Sequence, residues 1–275
     1  MEHCATYPRL AAGGGRRRHE PPRLKPVVMP LQTMSTTERV QTDFDEIAHL
    51  ADPGASGTDR YDQFLLSLIP ADAVHVLDVG CGLGRLTWAI ATNNRKVLGV
   101  DLSPAMIERA QLEGASDRVS FVQGDFLEFD FGGRVFDCVV SAATLHHMPD
   151  DIALARMAEL VRPGGRLIIQ DLRRDTSIGD SLRAYTALAH TAFDRFVRTG
   201  RPRPPRRVRE AWERHGVNEI YLSLQEAQVL AERFLPGASV VNHWLWRYTI
   251  VWDKPQRHNQ RLQPAAADAI LSRHG

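Results

Sequence analysis

The sequence contains little cysteine, no long apolar run and almost no net charge, and each shortage excludes a class of protein. Three of the 275 residues are cysteine, at positions 4, 81 and 138, which is too few and too widely spaced for a disulfide framework or a metal-ligand motif. No run reaches the roughly 18 consecutive apolar residues of a membrane span. The formal net charge of +1 argues against a protein that mainly neutralises phosphates. We therefore expect a soluble, cytoplasmic protein without a membrane or nucleic-acid partner.

The first 35 residues are rich in glycine, arginine and proline and predict a disordered tail. They lack a secretory apolar segment. A short basic nucleic-acid arm, a transit segment and a true start at Met34 remain as alternatives. Over residues 36–70 apolar residues recur at helical spacing, interrupted near Pro53, which predicts two helices that precede the core.

Residues 71–172 alternate apolar, β-rich runs with helical stretches. The predicted strands cover residues 74–79, 97–100, 119–122, 136–140 and 166–170, and Ser103 followed by Pro104 marks the start of one helix. Strands that alternate with helices at this spacing imply right-handed crossovers and a parallel sheet covered on both faces. The sequence therefore predicts an α/β fold with a doubly wound sheet.

Residues 173–222 interrupt this alternation with a predicted helix over 178–197 and a run of arginine and proline. The segment is much longer than the usual connection of about 4–6 residues, so we interpret it as a helical lid insertion. Ser223 and Glu226 then form a predicted capping box, and two apolar, aromatic runs predict an antiparallel hairpin, so that residues 223–254 complete the core. Residues 255–275 are a polar tail.

Three alternate glycines, Gly80, Gly82 and Gly84, follow the first predicted strand and precede a helix. Glycines there let the backbone turn sharply and approach a ligand. A dinucleotide site needs a small residue where this sequence has Arg85. The carboxylate of Asp78 would repel phosphates but suits a ligand that carries an ammonium and a sulfonium group. The loop therefore disfavours a nicotinamide oxidoreductase.

Two further acids follow the next strands along the chain. Asp101 ends the second strand, where it can accept hydrogen bonds from both hydroxyl groups of a ribose. Gly124, Asp125 and Phe126 follow the third strand, where a carboxylate can bind an adenine amino group and a ring can cover the base. All of these positions lie at the carboxyl ends of adjacent parallel strands, which is where open sheets bind ligands.

Five motifs, in this order along the chain, resemble those of the class I S-adenosylmethionine-dependent methyltransferases. More narrowly, they resemble the small-molecule methyltransferases that carry a Leu-His-His element. The motifs are Asp78–Gly84, Asp101–Met106, Gly124–Phe126, Leu145–Met148 and Leu160–Gly165. The resemblance covers roughly residues 38–252.

The resemblance implies a seven-stranded sheet whose last strand is antiparallel, and S-adenosylmethionine as the methyl donor. Matched by position, the glycine loop would contact the methionine portion, Asp101 the ribose, Leu102 and Met106 the adenine, and residues 141–145 would pass near the sulfonium. We interpret Cys81 as a small residue within the loop, since no base accompanies it. The complete set of expected cofactor residues is Asp78, Gly80, Cys81, Gly82, Gly84, Asp101, Leu102, Met106, Gly124, Asp125, Phe126 and Ser141.

His146 and His147 follow the fourth strand, where the resemblance places methyl delivery. Either imidazole is a candidate general base, because its ordinary pKa of about 6.5 suits proton uptake near neutral pH. The alternatives are a packing role, or a reaction that needs only positioning and desolvation. Phe44, Tyr61 and Tyr185 lie on the segments that flank the core and are candidate substrate contacts, with core packing as the alternative. We expect no metal site.

The sequence after the fourth strand also limits the acceptor. Residues 141–144 read Ser-Ala-Ala-Thr and differ from the Asn/Asp-Pro-Pro-aromatic motif of enzymes that methylate amines of nucleic-acid bases. No Pro-Cys nucleophile is present there either. We expect a small, partly apolar acceptor, with oxygen, nitrogen and carbon all open as the methylated atom, and oligomeric state unknown. The alternative from another class is a non-catalytic cofactor-binding sensor or partner subunit.

Overall fold

The computed structural model describes residues 35–51, 60–92, 94–174, 186, 190, 192–193, 195–197, 199–201, 203–244 and 246–256. Tyr185, most of the helix predicted over residues 178–197 and most of both predicted tails lie outside these residues.

Seven helices and seven strands are described here in chain order. The helices are α1 (Thr36–Leu50), α2 (Arg60–Leu68), α3 (Arg85–Ile90), α4 (Pro104–Leu112), α5 (Asp150–Leu160), α6 (Arg206–Gly216) and α7 (Leu224–Phe234). The strands are β1 (His75–Val79), β2 (Lys96–Asp101), β3 (Val119–Gln123), β4 (Phe136–Ala142), β5 (Val161–Leu172), β6 (Ser239–Asn242) and β7 (Arg247–Asp253), and a 3₁₀ turn covers Leu145–His147. Within the described ranges, no helix combines the length and apolar character needed to cross a membrane.

The strands form one sheet in the order β3-β2-β1-β4-β5-β7-β6. Neighbouring strands from β3 to β5 are parallel, whereas β7 runs antiparallel to both β5 and β6. The order of the parallel strands reverses at β1, and ligands bind beside such a point at the carboxyl ends of the strands. The predicted doubly wound, mostly parallel sheet with a terminal antiparallel hairpin is confirmed.

Local sequence explains where several helices begin. The Ser35 side chain accepts a hydrogen bond from the N–H of Glu38, whose carboxylate accepts from the Ser35 N–H in return, and this capping box starts α1. Ser103 caps α4 in the predicted way by accepting from the Met106 N–H at 3.0 Å. The predicted capping box of Ser223 with Glu226 starts α7.

Side chains alternate across the sheet and build a core on each face. On one face, strand residues such as Val139 and Ile169 pack in a cluster with Leu154 of α5 and Ala231 of α7. On the other face, residues including Val140 belong to a cluster with α2 and α3; the other members there are Leu65, Ile69, Ala73, Val76, Leu86, Ile90, Val97, Cys138 and Ile168. Because packed side chains cover both faces of the sheet, the carboxyl ends of its strands are left for a ligand site.

Helices α1, α4 and α6 meet in a third cluster beside that edge. Ile47 and Ala48 of α1 pack with Met106 of α4 and Ala211 of α6, and Phe44 packs against the group. This cluster joins the first predicted cap helix to the described end of the predicted lid segment.

The start of β5 differs from the prediction. The sequence predicts a strand only over residues 166–170, but β5 begins at Val161, which pairs with Phe136 of β4. The register shifts between Phe136 and Cys138, and Arg162 binds the Asp137 carboxylate beside this shift. Because that irregular pairing begins before Pro163, apolar periodicity alone could not separate helix from strand here.

Candidate active site

The three loop glycines each have positive φ, but for different reasons. A Cβ on Gly80 (φ +71°) would lie 2.1 Å from the Thr144 hydroxyl oxygen, and a Cβ on Gly84 (φ +77°) would lie 2.6 Å from the Phe121 ring. A Cβ on Gly82 (φ +53°) would meet nothing within 4 Å. Gly80 and Gly84 therefore permit close packing of the protein on itself, whereas Gly82 leaves open space beside the loop.

Asp101 connects this loop to the start of α4. Its carboxylate accepts hydrogen bonds from the N–H of Gly82 at 2.8 Å and from the N–H of Ser103 at 2.9 Å. Burial raises the pKa of Asp101, while these N–H bonds oppose the rise. Since a carboxylate offers about four lone-pair sites, acceptor capacity remains for a ligand.

Asp78 lies beneath the loop and is almost completely buried. The Thr87 hydroxyl donates to its carboxylate at 2.6 Å. Burial raises the pKa of Asp78 to about 7, the Thr87 bond opposes this rise and the charge of Asp101 adds to it. Asp78 is thus a carboxyl group whose ionisation lies near neutral pH.

Cys81 is buried in the same loop, and its sulfur approaches Gly99 of β2. Burial raises the pKa of the Cys81 thiol well above its ordinary value, so the nucleophilic thiolate is suppressed. This placement agrees with the interpretation of Cys81 as a small packing residue.

A cavity of about 1610 Å³ lies along the carboxyl ends of the strands. It brings together most of the expected cofactor residues, namely Asp78, Gly80, Cys81, Gly82, Asp101, Leu102, Met106, Gly124, Asp125 and Phe126. Phe44, His146 and His147 line it as well. Trp212 of α6 and Glu219, which follows α6, also contribute to the lining. The described part of the predicted lid therefore forms one side of this cavity.

Three expected site residues lie elsewhere among the described residues. Gly84 packs on Phe121, and the Ser141 hydroxyl donates to the Val79 carbonyl at 3.1 Å and so ties β4 to β1. Tyr61 contacts the His243 ring, with 5.5 Å between ring centroids. None of the three belongs to the cavity lining described above.

His146 is held by Asp171, which is not among the site residues predicted from the sequence. Its Nδ1 lies 2.6 Å from the Asp171 carboxylate, which also accepts the His146 backbone N–H at 2.9 Å. Both side chains are buried. Since a carboxylate can only accept, the neutral form of the His146 ring donates through Nδ1 and has its lone pair on Nε2.

Asp171 lies near the carboxyl end of β5, adjacent to β4 in the sheet. The rule that selected Asp101 and Asp125, an acid at the end of a parallel strand, applies to Asp171 equally and would have found it.

His147 faces a different set of partners. Its Nδ1 lies 3.0 Å from Glu219, and Glu219 accepts two further hydrogen bonds from Arg39 at 3.2 Å. Burial is the first cause that lowers the pKa of His147, to about 2, and the neighbouring His146, His215 and Arg39 side chains lower it further because they disfavour a second positive charge beside them. The His147 ring therefore stays neutral.

His215, in the last turn of α6, completes a group of three imidazoles. Its Nδ1 lies 3.0 Å from Asp43 of α1, and its ring centroid lies 5.0 Å from that of His147. One ligand atom from each of His146, His147, His215 and Glu219 lies within 4.8 Å of the others. The sequence alone predicts no metal site, and neither His215 nor Glu219 is among the residues predicted from it. His215 and Glu219 are four residues apart, about one helical turn, and this spacing is the signal in the sequence that could have pointed to them as a pair.

Comparisons with known proteins identify the class to which this site belongs. Residues 76–165 match the family described as a methyltransferase domain. An uncharacterized methyltransferase of Mycobacterium tuberculosis is 32% identical over 200 residues, which cover 71% of this chain and 95% of the relative. The O-methyltransferase cnsE of Penicillium expansum is 37% identical over 120 residues, covering 42% of this chain and 44% of the relative.

A solved structure supports the same fold. The N-methyltransferase NodS of Bradyrhizobium japonicum, in complex with S-adenosylhomocysteine, has a TM-score of 0.54 at 17% identity and covers 81% of this chain and all of its own. The chain belongs to the class I S-adenosylmethionine-dependent methyltransferases and is an enzyme that uses S-adenosylmethionine.

Proposed function

We propose that this methyltransferase transfers the methyl group of S-adenosylmethionine to a hydroxyl group of a small, partly apolar acceptor. In this proposal His146 takes up the proton that the hydroxyl group releases. The observation that carries the proposal is the buried His146–Asp171 pair, whose histidine lines the same cavity as the glycine loop and Asp101.

The proposed cofactor position uses the part of the cavity next to β1 and β2. The open space beside Gly82 admits the methionine portion, and the unused lone pairs of Asp101 accept the ribose hydroxyl groups. Leu102 and Met106 border the adenine, and the Asp125 carboxylate lies toward its amino edge. One Asp125 oxygen already accepts the Leu127 N–H at 2.9 Å, which fixes the carboxylate.

The proposed acceptor position uses the part of the cavity next to Phe44 and His146. Phe44 packs edge-on against His147, with 5.2 Å between ring centroids, and against Trp212 of α6 at 6.2 Å. Aromatic walls of this kind suit an acceptor with apolar surface. Tyr185, outside the described residues, remains a predicted substrate contact. The Leu-His-His element remains a prediction that the acceptor is a small molecule.

His146 is suited to accept a proton because its geometry is fixed before the acceptor binds. Asp171 holds the ring through Nδ1 and the backbone through the N–H, so Nε2 is the nitrogen left for the acceptor hydroxyl. When bound, S-adenosylmethionine supplies a methyl group on a sulfonium, which becomes a neutral thioether as the acceptor oxygen bonds to the methyl carbon. The hydroxyl proton moves to Nε2, and the negative charge of Asp171 stabilises the resulting imidazolium.

Oxygen is favoured over nitrogen and carbon because a hydroxyl group must lose its proton to give a stable methyl ether, and the site offers a fixed proton acceptor. The name of the cnsE relative, an O-methyltransferase, agrees with this choice.

The proposal is tested with carbon-13-labelled S-adenosylmethionine and a panel of small phenols, alcohols, amines and carbon nucleophiles. We expect labelled methyl ethers, detected by carbon-13 NMR, from a subset of the phenols and alcohols. Transfer to amines or carbon nucleophiles alone would contradict the proposal.

Asp78 gives the proposed cofactor site a pH dependence. Because its pKa is about 7 in the free protein, Asp78 is ionised at pH 8 and protonated at pH 6, and only the ionised form attracts the cationic cofactor. Lowering the pH from 8 to 6 should therefore weaken S-adenosylmethionine binding by about tenfold, if binding keeps Asp78 ionised. Calorimetry at each pH measures this change.

The Asp78→Asn variant is the control, since it keeps an oxygen for the Thr87 hydroxyl but cannot ionise. Its affinity should be weaker at pH 8 and flat between pH 6 and 8. An equal slope in the variant and the wild type would assign the pH dependence to another group.

A further inference from the structure

Beside the acceptor end of the cavity, His146 belongs to a second arrangement of side chains whose other members the methyl-transfer proposal does not require. His146 and His147 come from the 3₁₀ turn after β4, His215 comes from the end of α6, and Glu219 follows one helical turn later. All four side chains are buried, with exposed fractions of 5, 7, 4 and 3%, respectively. One ligand atom of each lies within 4.8 Å of the other three.

This spacing is slightly wider than that of a coordinated ion. Zinc–nitrogen bonds of about 2.0–2.1 Å place the donors of a tetrahedral site about 3.3 Å apart. The donors therefore need to approach one another by at most about 1.5 Å, which rotation of imidazole and carboxylate side chains can supply.

Two of the three imidazoles are already oriented as metal ligands are. A histidine that binds a metal usually donates its other ring N–H to a carboxylate, which fixes the tautomer and makes the ligating nitrogen more basic. His146 has Asp171 at 2.6 Å from Nδ1, and His215 has Asp43 at 3.0 Å from Nδ1. In both rings Nε2 is the nitrogen left for an ion.

Glu219 supplies the single carboxylate among the four. Arg39 binds one of its oxygens at 3.2 Å, and His147 Nδ1 lies 3.0 Å from the other. The set thus combines three imidazoles with one carboxylate. Imidazole nitrogen suits Zn²⁺, Co²⁺, Ni²⁺, Cu²⁺ and Fe²⁺, whereas Mg²⁺ and Ca²⁺ prefer all-oxygen sets.

We propose that His146, His147, His215 and Glu219 bind one divalent transition-metal ion, with Asp171 and Asp43 as the carboxylates that orient two of the ligands. The metal site rests on different observations from the methyl-transfer proposal, but both use the same nitrogen. An ion on His146 would occupy Nε2, so the proposed proton uptake by His146 requires metal-free protein.

The test uses untagged full-length protein freed of metal with a chelator, and Zn²⁺ and Co²⁺ as probes. We expect one Zn²⁺ per chain with a dissociation constant below about 1 μM, measured by competition with a fluorescent chelator, because imidazole nitrogen is a preferred ligand of Zn²⁺. Co²⁺ should give the visible absorption of a nitrogen-coordinated ion, and Mg²⁺ should not compete.

Because the chain contains 11 histidines, variants identify the site. His215→Gln and Glu219→Gln should each weaken Zn²⁺ binding at least tenfold, and Asp43→Asn should weaken it by about 10- to 100-fold through lost orientation. His243→Gln is the matched control, since His243 binds the Thr249 hydroxyl at 2.8 Å and lies outside the group; its affinity should stay within about twofold of the wild type.

Thermal melting of each metal-free variant checks folding. If His215→Gln does not fold, Glu219→Gln and Asp43→Asn decide the result. Wild-type protein that binds no stoichiometric Zn²⁺, or folded variants of Glu219 and Asp43 that bind it as the wild type does, would overturn the metal site. Neither result bears on methyl transfer, which is measured on metal-free protein.

Discussion

Replacing His146 by glutamine should lower kcat by about 100-fold or more in metal-free protein at saturating S-adenosylmethionine, because a positioned base contributes roughly 10²–10⁴ to such a step. Glutamine keeps a polar side chain of similar length but accepts no proton. The Asp171 carboxylate, which accepts from His146 Nδ1 at 2.6 Å, would remain in place. Affinity for S-adenosylhomocysteine should change by less than about threefold, since this cofactor product does not need the base.

His147→Gln is the matched control, because the two histidines are adjacent and the substitution is the same. His147 has no Asp171 behind it, and burial lowers its pKa to about 2, so its loss should reduce kcat by less than about tenfold. Asp171→Asn should lower kcat about as much as His146→Gln does. The amide oxygen still holds the His146 ring, but it lacks the negative charge that stabilises the imidazolium. Near-normal turnover in His146→Gln would remove the base from the mechanism and leave positioning as the main source of catalysis.

Gly80→Ala should destabilise the protein by about 2–5 kcal/mol. This figure is the sum of the cost of a left-handed backbone at alanine and the cost of overpacking. Its φ is +71°, and the new Cβ would lie 2.1 Å from Oγ1, 2.3 Å from Cγ2 and 2.7 Å from Cβ of Thr144. Rotation of the Thr144 side chain cannot relieve the contact with its own Cβ, so the glycine loop or the backbone that follows β4 must move. Urea unfolding measures the loss.

Gly82→Ala separates the two costs. Its φ is +53° but its Cβ would meet nothing within 4 Å, so we expect only the backbone cost of about 1–2 kcal/mol. Gly80→Ala combined with Thr144→Gly should recover part of the stability lost by Gly80→Ala, a coupling that a double-mutant cycle detects. Equal losses in Gly80→Ala and Gly82→Ala would show that Thr144 does not determine the need for glycine at position 80.

The sequence predicts the parts of the fold and site that depend on neighbours along the chain. Apolar runs alternating with helical stretches indicate the doubly wound sheet, and Ser103 and Ser223 mark helix starts that the structure confirms. Gly82, Asp101 and Asp125 lie where strand ends place them, in the wall of one cavity. These features follow from local rules of capping and strand order.

The remaining parts depend on contacts between distant segments. His215 and Glu219 reach His147 only because α6 packs on α1 at the cavity, and no local pattern specifies that packing. Tyr61 and Ser141 show the converse, since both are suitable side chains near the expected site that make other contacts, with the His243 ring and the Val79 carbonyl. Side-chain direction at a strand end is set by the tertiary fold, which the sequence pattern alone does not give.

The most direct measurement is a crystal structure of the protein with S-adenosylhomocysteine. We expect both ribose hydroxyl groups at hydrogen-bonding distance from the Asp101 carboxylate, about 2.5–3.0 Å between oxygens. The thioether sulfur should face the part of the cavity that His146 lines. Two results would contradict the claim that one cavity holds both the cofactor and the base. One is a ribose bound away from Asp101, and the other is a thioether sulfur separated from His146 by protein atoms.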